Sequence, residues 1–303
     1  MRPGPAVILA LLLALAPAAH AILAGGEFDM PVDSPSRRAD VDGADSPFNF
    51  VGALEMMTSG GRTYLGSAVA ISPHWALTAG HNVDFNDDGT ADTGLAVNFH
   101  LPGFGSFAAS GMFANPLFTG FGNPTIFHDL ALLRFDDPLP SGLALPILGG
   151  APLASGDLIS LAGFGRSGYG SYGYTTQASL GTRRLGGNTI ESLQVAPGED
   201  GTLFRYTFHA PDSPLSLGND IETIIGPGDS GGPALRASGD GWELVGINTF
   251  VEGYGGRFGD IGGGVALDPY WDWISTTTAI PEPETWLMWM LAAGLLLHRN
   301  RDS

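Results

Sequence analysis

The segment Gly226-Pro227-Gly228-Asp229-Ser230-Gly231-Gly232-Pro233-Ala234-Leu235 decides how the rest of this chain is read. Its glycines and prolines rule out a helix and interrupt any plain strand. Such a run closes into a tight loop, because glycine accepts backbone angles that other residues avoid. A loop of that kind lifts a serine hydroxyl clear of the backbone and turns successive N–H groups toward one point. Acyl transfer needs both features, a nucleophile and donors placed where the oxyanion will form. An ordinary Gly/Pro turn has the same composition, so the decision rests on what else the chain supplies.

Working outward, His81 closes the apolar run Ala76-Leu77-Thr78-Ala79, and Asp129 precedes another, Leu130-Ala131-Leu132-Leu133. Serine is a poor nucleophile until an imidazole takes its proton. A carboxylate then fixes the imidazole tautomer and stabilises the imidazolium. His81, Asp129 and Ser230, in that order, carry the three required groups.

The stretch from Ser67 to His81, with Trp75-Ala76-Leu77-Thr78-Ala79-Gly80-His81 at its end, resembles the histidine box of trypsin-like serine proteases. Asp129-Leu130-Ala131-Leu132-Leu133 is similar to their aspartate box, and Gly228-Asp229-Ser230-Gly231-Gly232-Pro233 to their serine box. Weaker echoes are Gly163-Phe164-Gly165, Val245-Gly246-Ile247 and Gly264-Val265. The resemblance implies an all-β fold of two packed six-stranded antiparallel β-barrels, with a short C-terminal helix and the active site between them. It also implies an oxyanion hole from the N–H groups of Gly228 and Ser230. Asp229 would pair with the ammonium of a freed Ile22-Leu23-Ala24-Gly25-Gly26 terminus. A cut after Arg38 is the competing activation site, although Ala39-Asp40-Val41 matches that terminus poorly. The substrate pocket would be formed by Ile224 at its floor with Thr249, Phe250 and Val251, which favours small or apolar residues before the scissile bond. A non-catalytic surface-displayed binding protein on the same fold, or an esterase using the same site, would share these residues.

Composition agrees with a β-rich reading. Of 303 residues, 46 are glycine and 22 proline, and only 15% are charged, a mix that suits many short strands and turns. The net charge of −18 argues against a nucleic-acid partner. There is no cysteine, hence no disulfide or thiolate chemistry. Every basic residue is arginine, which excludes a Ser–Lys dyad. Strand-like stretches are expected at 48–54, 64–71, 75–78, 95–100, 106–113 and 130–135. A second series is expected at 158–162, 173–180, 201–209, 234–237, 243–250 and 263–267. A short helix follows over 269–278, because Tyr270, Trp273 and Ile274 fall on one face. The two series suggest a first barrel over about 46–150 and a second over about 151–268, within a peptidase domain at 22–278. Residues 27–47 read as an exposed arm. Asp84-Phe85-Asn86-Asp87-Asp88-Gly89-Thr90-Ala91-Asp92 has the front half of a calcium loop, but Leu95 stands where the closing glutamate belongs, and an acidic turn reads equally well.

Both ends carry targeting grammar. Residues 1–21 read as a signal peptide, with Arg2, an apolar stretch from Ala6 to Ala16, and Ala19-His20-Ala21 before the cut. In 279–303, Pro281-Glu282-Pro283 precedes the apolar run Trp286 to Leu297, and Arg299 and Arg301 follow. That run reaches only about 18 Å as a helix, and the arrangement resembles a PEP-CTERM sorting signal. The expected partners are a protein or peptide substrate, signal peptidase and an exosortase-type processing enzyme. The expected location is the periplasmic face of the inner membrane, then the cell surface or medium.

Overall fold

The computed structural model describes residues 22–279 apart from 29–32, 123, 199, 219, 240 and 254. The signal and sorting segments lie outside the described residues. Among the described residues no helix is long and apolar enough to cross a membrane.

The first sheet contains β1 (Val51–Met57), β2 (Thr63–Ser72), β3 (Trp75–Thr78), β4 (Ala96–Leu101), β5 (Gly105–Ala108), β6 (Gly111–Ala114) and β7 (Ala131–Arg134). Its order is β5-β4-β1-β2-β3-β7-β6. In the second half β8 (Leu158–Gly163) is followed by a small hairpin, β9 (Gly168–Tyr169) and β10 (Gly173–Tyr174). Then come β11 (Arg184–Thr189), β12 (Ser192–Val195), β13 (Thr202–Thr207), β14 (Pro233–Ser238), β15 (Gly241–Glu252) and β16 (Ile261–Ala266). The second sheet runs β11-β8-β14-β15-β16-β13-β12. All strand pairs within the two sheets are antiparallel. Each sheet thus has seven strands, not the six expected. The extra strand arises partly because the apolar stretch 106–113 is two strands. β5 pairs with β4, whereas β6 pairs with β7 at the opposite edge.

Local sequence explains these elements. In β4 Val97, Phe99 and Leu101 alternate inward, the period of a strand with one wet face. β2 is buried continuously from Gly66 to Ile71, because it is covered on both faces. One hydrophobic core runs through both halves, joining Phe50, Leu77 and Leu132 to Leu235, Ile247 and Val265. A second core in the C-terminal half takes in Ile22 and Leu23 with Ile159, Tyr206 and Ile224. The final helix, α1 (Trp271–Thr278), buries Ile274 and Thr278. Just before it, Tyr270 donates its hydroxyl to the Phe127 carbonyl at 2.7 Å, which ties the start of this helix to the turn that presents Asp129.

Within the segment expected as an exposed arm, 33–47 is strapped to the body of the molecule. Arg38 clasps Asp33 with two guanidinium nitrogens, at 2.9 and 2.7 Å, and donates to the carbonyls of Ile221 and Glu222. Arg183 donates its Nε to Asp40 at 2.8 Å and its two other nitrogens to the carbonyls of Val51 and Gly43. Backbone hydrogen bonds from Asp40 to Arg183 and from Leu185 to Arg38 add this strap to the edge of β11. Charge-assisted, buried contacts of this type override a loop-like composition. The acidic loop at 84–92 is held by its own backbone. Asp84 accepts from the N–H groups of Asp88 and Gly89, and Asp88 from Thr90, so the carboxylates brace the turn itself. Among the described residues no cluster of three or more His, Cys, Asp or Glu is arranged to hold a metal ion.

Candidate active site

Strand pairing assembles the first part of the site. His81 lies in a 3-10 turn, Gly80–Asn82, just after β3, and Asp129 ends another, Thr125–His128, just before β7. β3 and β7 are neighbours, with Thr78 opposite Ala131, so the two turns meet. Asp129 is fully buried and grips His81 twice. Its Oδ1 accepts from the His81 N–H at 2.9 Å, and its Oδ2 lies 2.7 Å from Nδ1. That bond leaves Nε2 free to exchange a proton. Burial penalises the imidazolium, but the charge and hydrogen bond of Asp129, helped by Asp87, outweigh it and hold the His81 pKa above 6.5. The exposed ring of Phe121 leans on the imidazole at 5.1 Å between centroids.

Ser230 comes from the loop ahead of β14 and is pinned against that pair. Its carbonyl accepts from the Ser67 N–H at 2.9 Å and from Nδ2 of Asn82, the neighbour of His81, at 3.0 Å. A side chain at Gly231 would collide with Thr78 Oγ1 and the Ser67 carbonyl, and φ there is +86°; glycine satisfies both constraints. Ser67 also donates its hydroxyl to the Gly228 carbonyl at 2.9 Å and accepts from Phe164 N–H at 3.1 Å. It thereby fastens the first sheet to the loop of the second. No hydrogen bond joins Ser230 Oγ to His81 within the described residues.

The loop's N–H groups divide cleanly. Asp229 donates to Gly226, Gly231 to Asn248 and Gly232 to Asp229. Among the described residues, those of Gly228 and Ser230 have no protein acceptor. They are the two donors available to an oxyanion.

Asp229 points away from the cleft, fully buried. It accepts from Gly165 N–H at 2.7 Å, Gly226 N–H at 2.8 Å and Ile22 N at 3.4 Å. Burial pushes its carboxyl up to about 6, against the pull of those donors and of Arg184. Ile22 and Asp229 are therefore brought together.

Beside Ser230 opens a cavity of about 300 Å³ lined by Tyr174, Ile225, Gly226, Thr249, Phe250 and Val251, among others. None of its described lining residues carries a charge. Ile224 is not part of the wall. It is buried in the second core and accepts from Leu23 N–H at 3.2 Å, so it anchors the N-terminal residues instead. Tyr174, Ser67, Asn82 and Phe121 escaped the sequence reading, because each reaches the site only through tertiary contacts.

The family profile described as Trypsin matches residues 43–274. Among solved structures the chain is similar to one described as HL collagenase, with 20% identity, a TM-score of 0.57, and coverage of 77% of this chain and 95% of that one. At that identity the likeness concerns the fold. No curated protein matches.

Proposed function

The chain belongs to the trypsin family of serine peptidases, and from that premise we propose that it is an exported endopeptidase working through a His81–Asp129–Ser230 triad. Ser230 Oγ attacks the scissile carbonyl while His81 Nε2 takes its proton. Asp129 holds the ring and stabilises the imidazolium. The N–H groups of Gly228 and Ser230 receive the oxyanion, and His81 returns the proton to the leaving amine. Water then repeats the sequence on the acyl-enzyme. The observation that carries this reading is the double grip of Asp129 on His81 beside a serine loop with two unspent N–H groups. Labelling by a fluorophosphonate probe tests it. Labelling lost in Ser230→Ala is expected, and a wild-type protein that never labels would leave a binding protein on the same fold. Comparing casein with a p-nitrophenyl ester separates peptidase from esterase. The uncharged pocket favours small or apolar residues before the cut, and a strict arginine preference in a peptide library would overturn that.

We also propose that removal of residues 1–21 creates the active terminus directly. Ile22 is fully buried at φ +56°, a region costing a β-branched residue about 1–2 kcal/mol. That angle exists only while Ala21 is attached, so cleavage releases the strain and frees an ammonium beside Asp229. Arg38, by contrast, is 5% exposed and clasped on both sides, which disfavours cleavage after it. Mass spectrometry of the active protein should find Ile22 first; a start at Ala39 would refute this. Export to the periplasmic face and exosortase-type handling of 279–303 complete the proposal. The mass of the C-terminal peptide from the released protein tests the latter.

A further inference from the structure

We propose that Arg184 is a positioning residue, a permanent buried counter-charge for Asp229 that keeps the oxyanion loop formed whether or not the Ile22 amine has been freed. This rests on the peptidase reading above. The geometry comes from β8 and β11. Arg184 pairs directly with Gly163, and directly opposed residues of an antiparallel pair project from the same face, with Cβ positions about 5 Å apart. Gly163 has no Cβ, and the Asp229 carboxylate occupies that space: a Cβ built there would run into Oδ1. The carboxylate therefore sits next to the stem of Arg184.

Both side chains are fully buried. Arg184 Nε is held at 3.0 Å by the Pro35 carbonyl, so the strap fixes its position. Burial lowers the Arg184 guanidinium to about 9, and the charge of Asp229 works against that. Among the described residues, the other titratable groups facing the carboxylate are Tyr174 and Tyr206. Their phenols are pushed up by burial and by Asp229 itself, so they stay neutral over the working range. While Ala21 remains attached, Ile22 offers only an amide N–H, and Arg184 is the cation on hand. A loop held this way does not wait for a new terminus.

The test compares the exported chain starting at Ile22 with the same chain retaining Ala21, each with Arg184, Arg184→Met or Arg184→Lys. The rate of fluorophosphonate labelling and kcat/KM on a peptide substrate report the loop. With Arg184 present, retaining Ala21 should cost less than about tenfold. With Arg184→Met it should cost about a hundredfold or more, the scale of a lost oxyanion donor, and Arg184→Lys should restore most of it. The loss should fall on kcat, with KM little changed. Independently of activity, carboxyl NMR should show Asp229 titrating at higher pH in Arg184→Met. A hundredfold loss on keeping Ala21 with Arg184 intact would overturn the proposal, as would an unmoved Asp229 titration. If Arg184→Met does not fold, the two Arg184 chains and the lysine variant still decide. If no chain labels at all, the peptidase reading falls, and the Asp229 titration alone judges the pair.

Discussion

Two fully buried aspartates, one in each half of the molecule, do opposite jobs. Asp129 faces the cleft and spends both oxygens on His81, through the backbone N–H and through Nδ1. Asp229 faces inward and spends its oxygens on backbone N–H groups of Gly165, Gly226 and Ile22, with Arg184 alongside. The first carboxylate orients an imidazole ring. The second orients a loop. Burial is common to both, so the difference lies in the partner: a titratable ring, or fixed backbone donors with a cation nearby.

The contrast can be broken first at Asp129. Asp129→Asn should leave the fold intact and lower kcat by about 10⁴, because the imidazole then adopts the wrong tautomer. A loss below tenfold in steady-state assays would remove Asp129 from the chemistry. Asp229→Asn should cost less, about 10² to 10³ in kcat, the scale of losing a placed oxyanion donor. If instead it matched Asp129→Asn and erased the acid limb of the pH profile, the two carboxylates would not have separate roles.

Stability against pH sharpens the same comparison. In the chain retaining Ala21, the Asp229 carboxyl sits at about 6 instead of its ordinary 3.8. The folded state therefore binds this proton more tightly than the unfolded chain. The contribution is full below about pH 4 and is lost as pH rises through 6, on the order of 3 kcal/mol. His81 acts in the same direction, its contribution present below 6.5 and lost as pH climbs past its raised value. Stability thus falls over the interval in which a neutral His81 becomes available for catalysis. Urea unfolding between pH 4 and 8 should show this decline, flattened in Asp229→Asn; a rise would contradict it.

Gly163→Ala should destabilise by about 1–3 kcal/mol, since its methyl group meets Asp229 in a packed interior. Gly181→Ala, with nothing nearby, should change the urea midpoint little. The smallest effect belongs to Asp87, exposed and hydrogen-bonded to nothing among the described residues. Asp87→Asn removes one of the charges that raise His81, so the acid limb of kcat/KM should move to lower pH. An unmoved limb would assign the whole effect to Asp129.

Much of this architecture was legible along the chain. Val97, Phe99 and Leu101 announce their strand by alternation, and Trp75 to Thr78 by an unbroken apolar run. β11 could not be found this way. Arg184-Leu185-Gly186-Gly187-Asn188-Thr189 reads as a turn, and only pairing with β8 and the strap makes it a strand. The strap escaped for the same reason. Asp33, Arg38, Asp40 and Arg183 look like surface residues until two ion pairs bury them together. Ile224, expected at the pocket floor, packs in the second core instead, because position in the chain does not set which side of a loop a residue faces.

Residue types and their order were enough to name a family and to propose a nucleophile, a base and an orienting carboxylate. Those depend on short-range requirements: glycine where φ is positive, apolar runs before the turns, an acid ahead of Leu-Ala-Leu-Leu. That Asp129 takes both His81 donors, and that Gly165 and Gly226 hold Asp229, was decided in three dimensions. So were the charge beside Asp229 and the walls of the pocket. Electrostatic work and packing depend on distances between residues far apart in the chain, and those distances exist only once the two sheets have closed on each other.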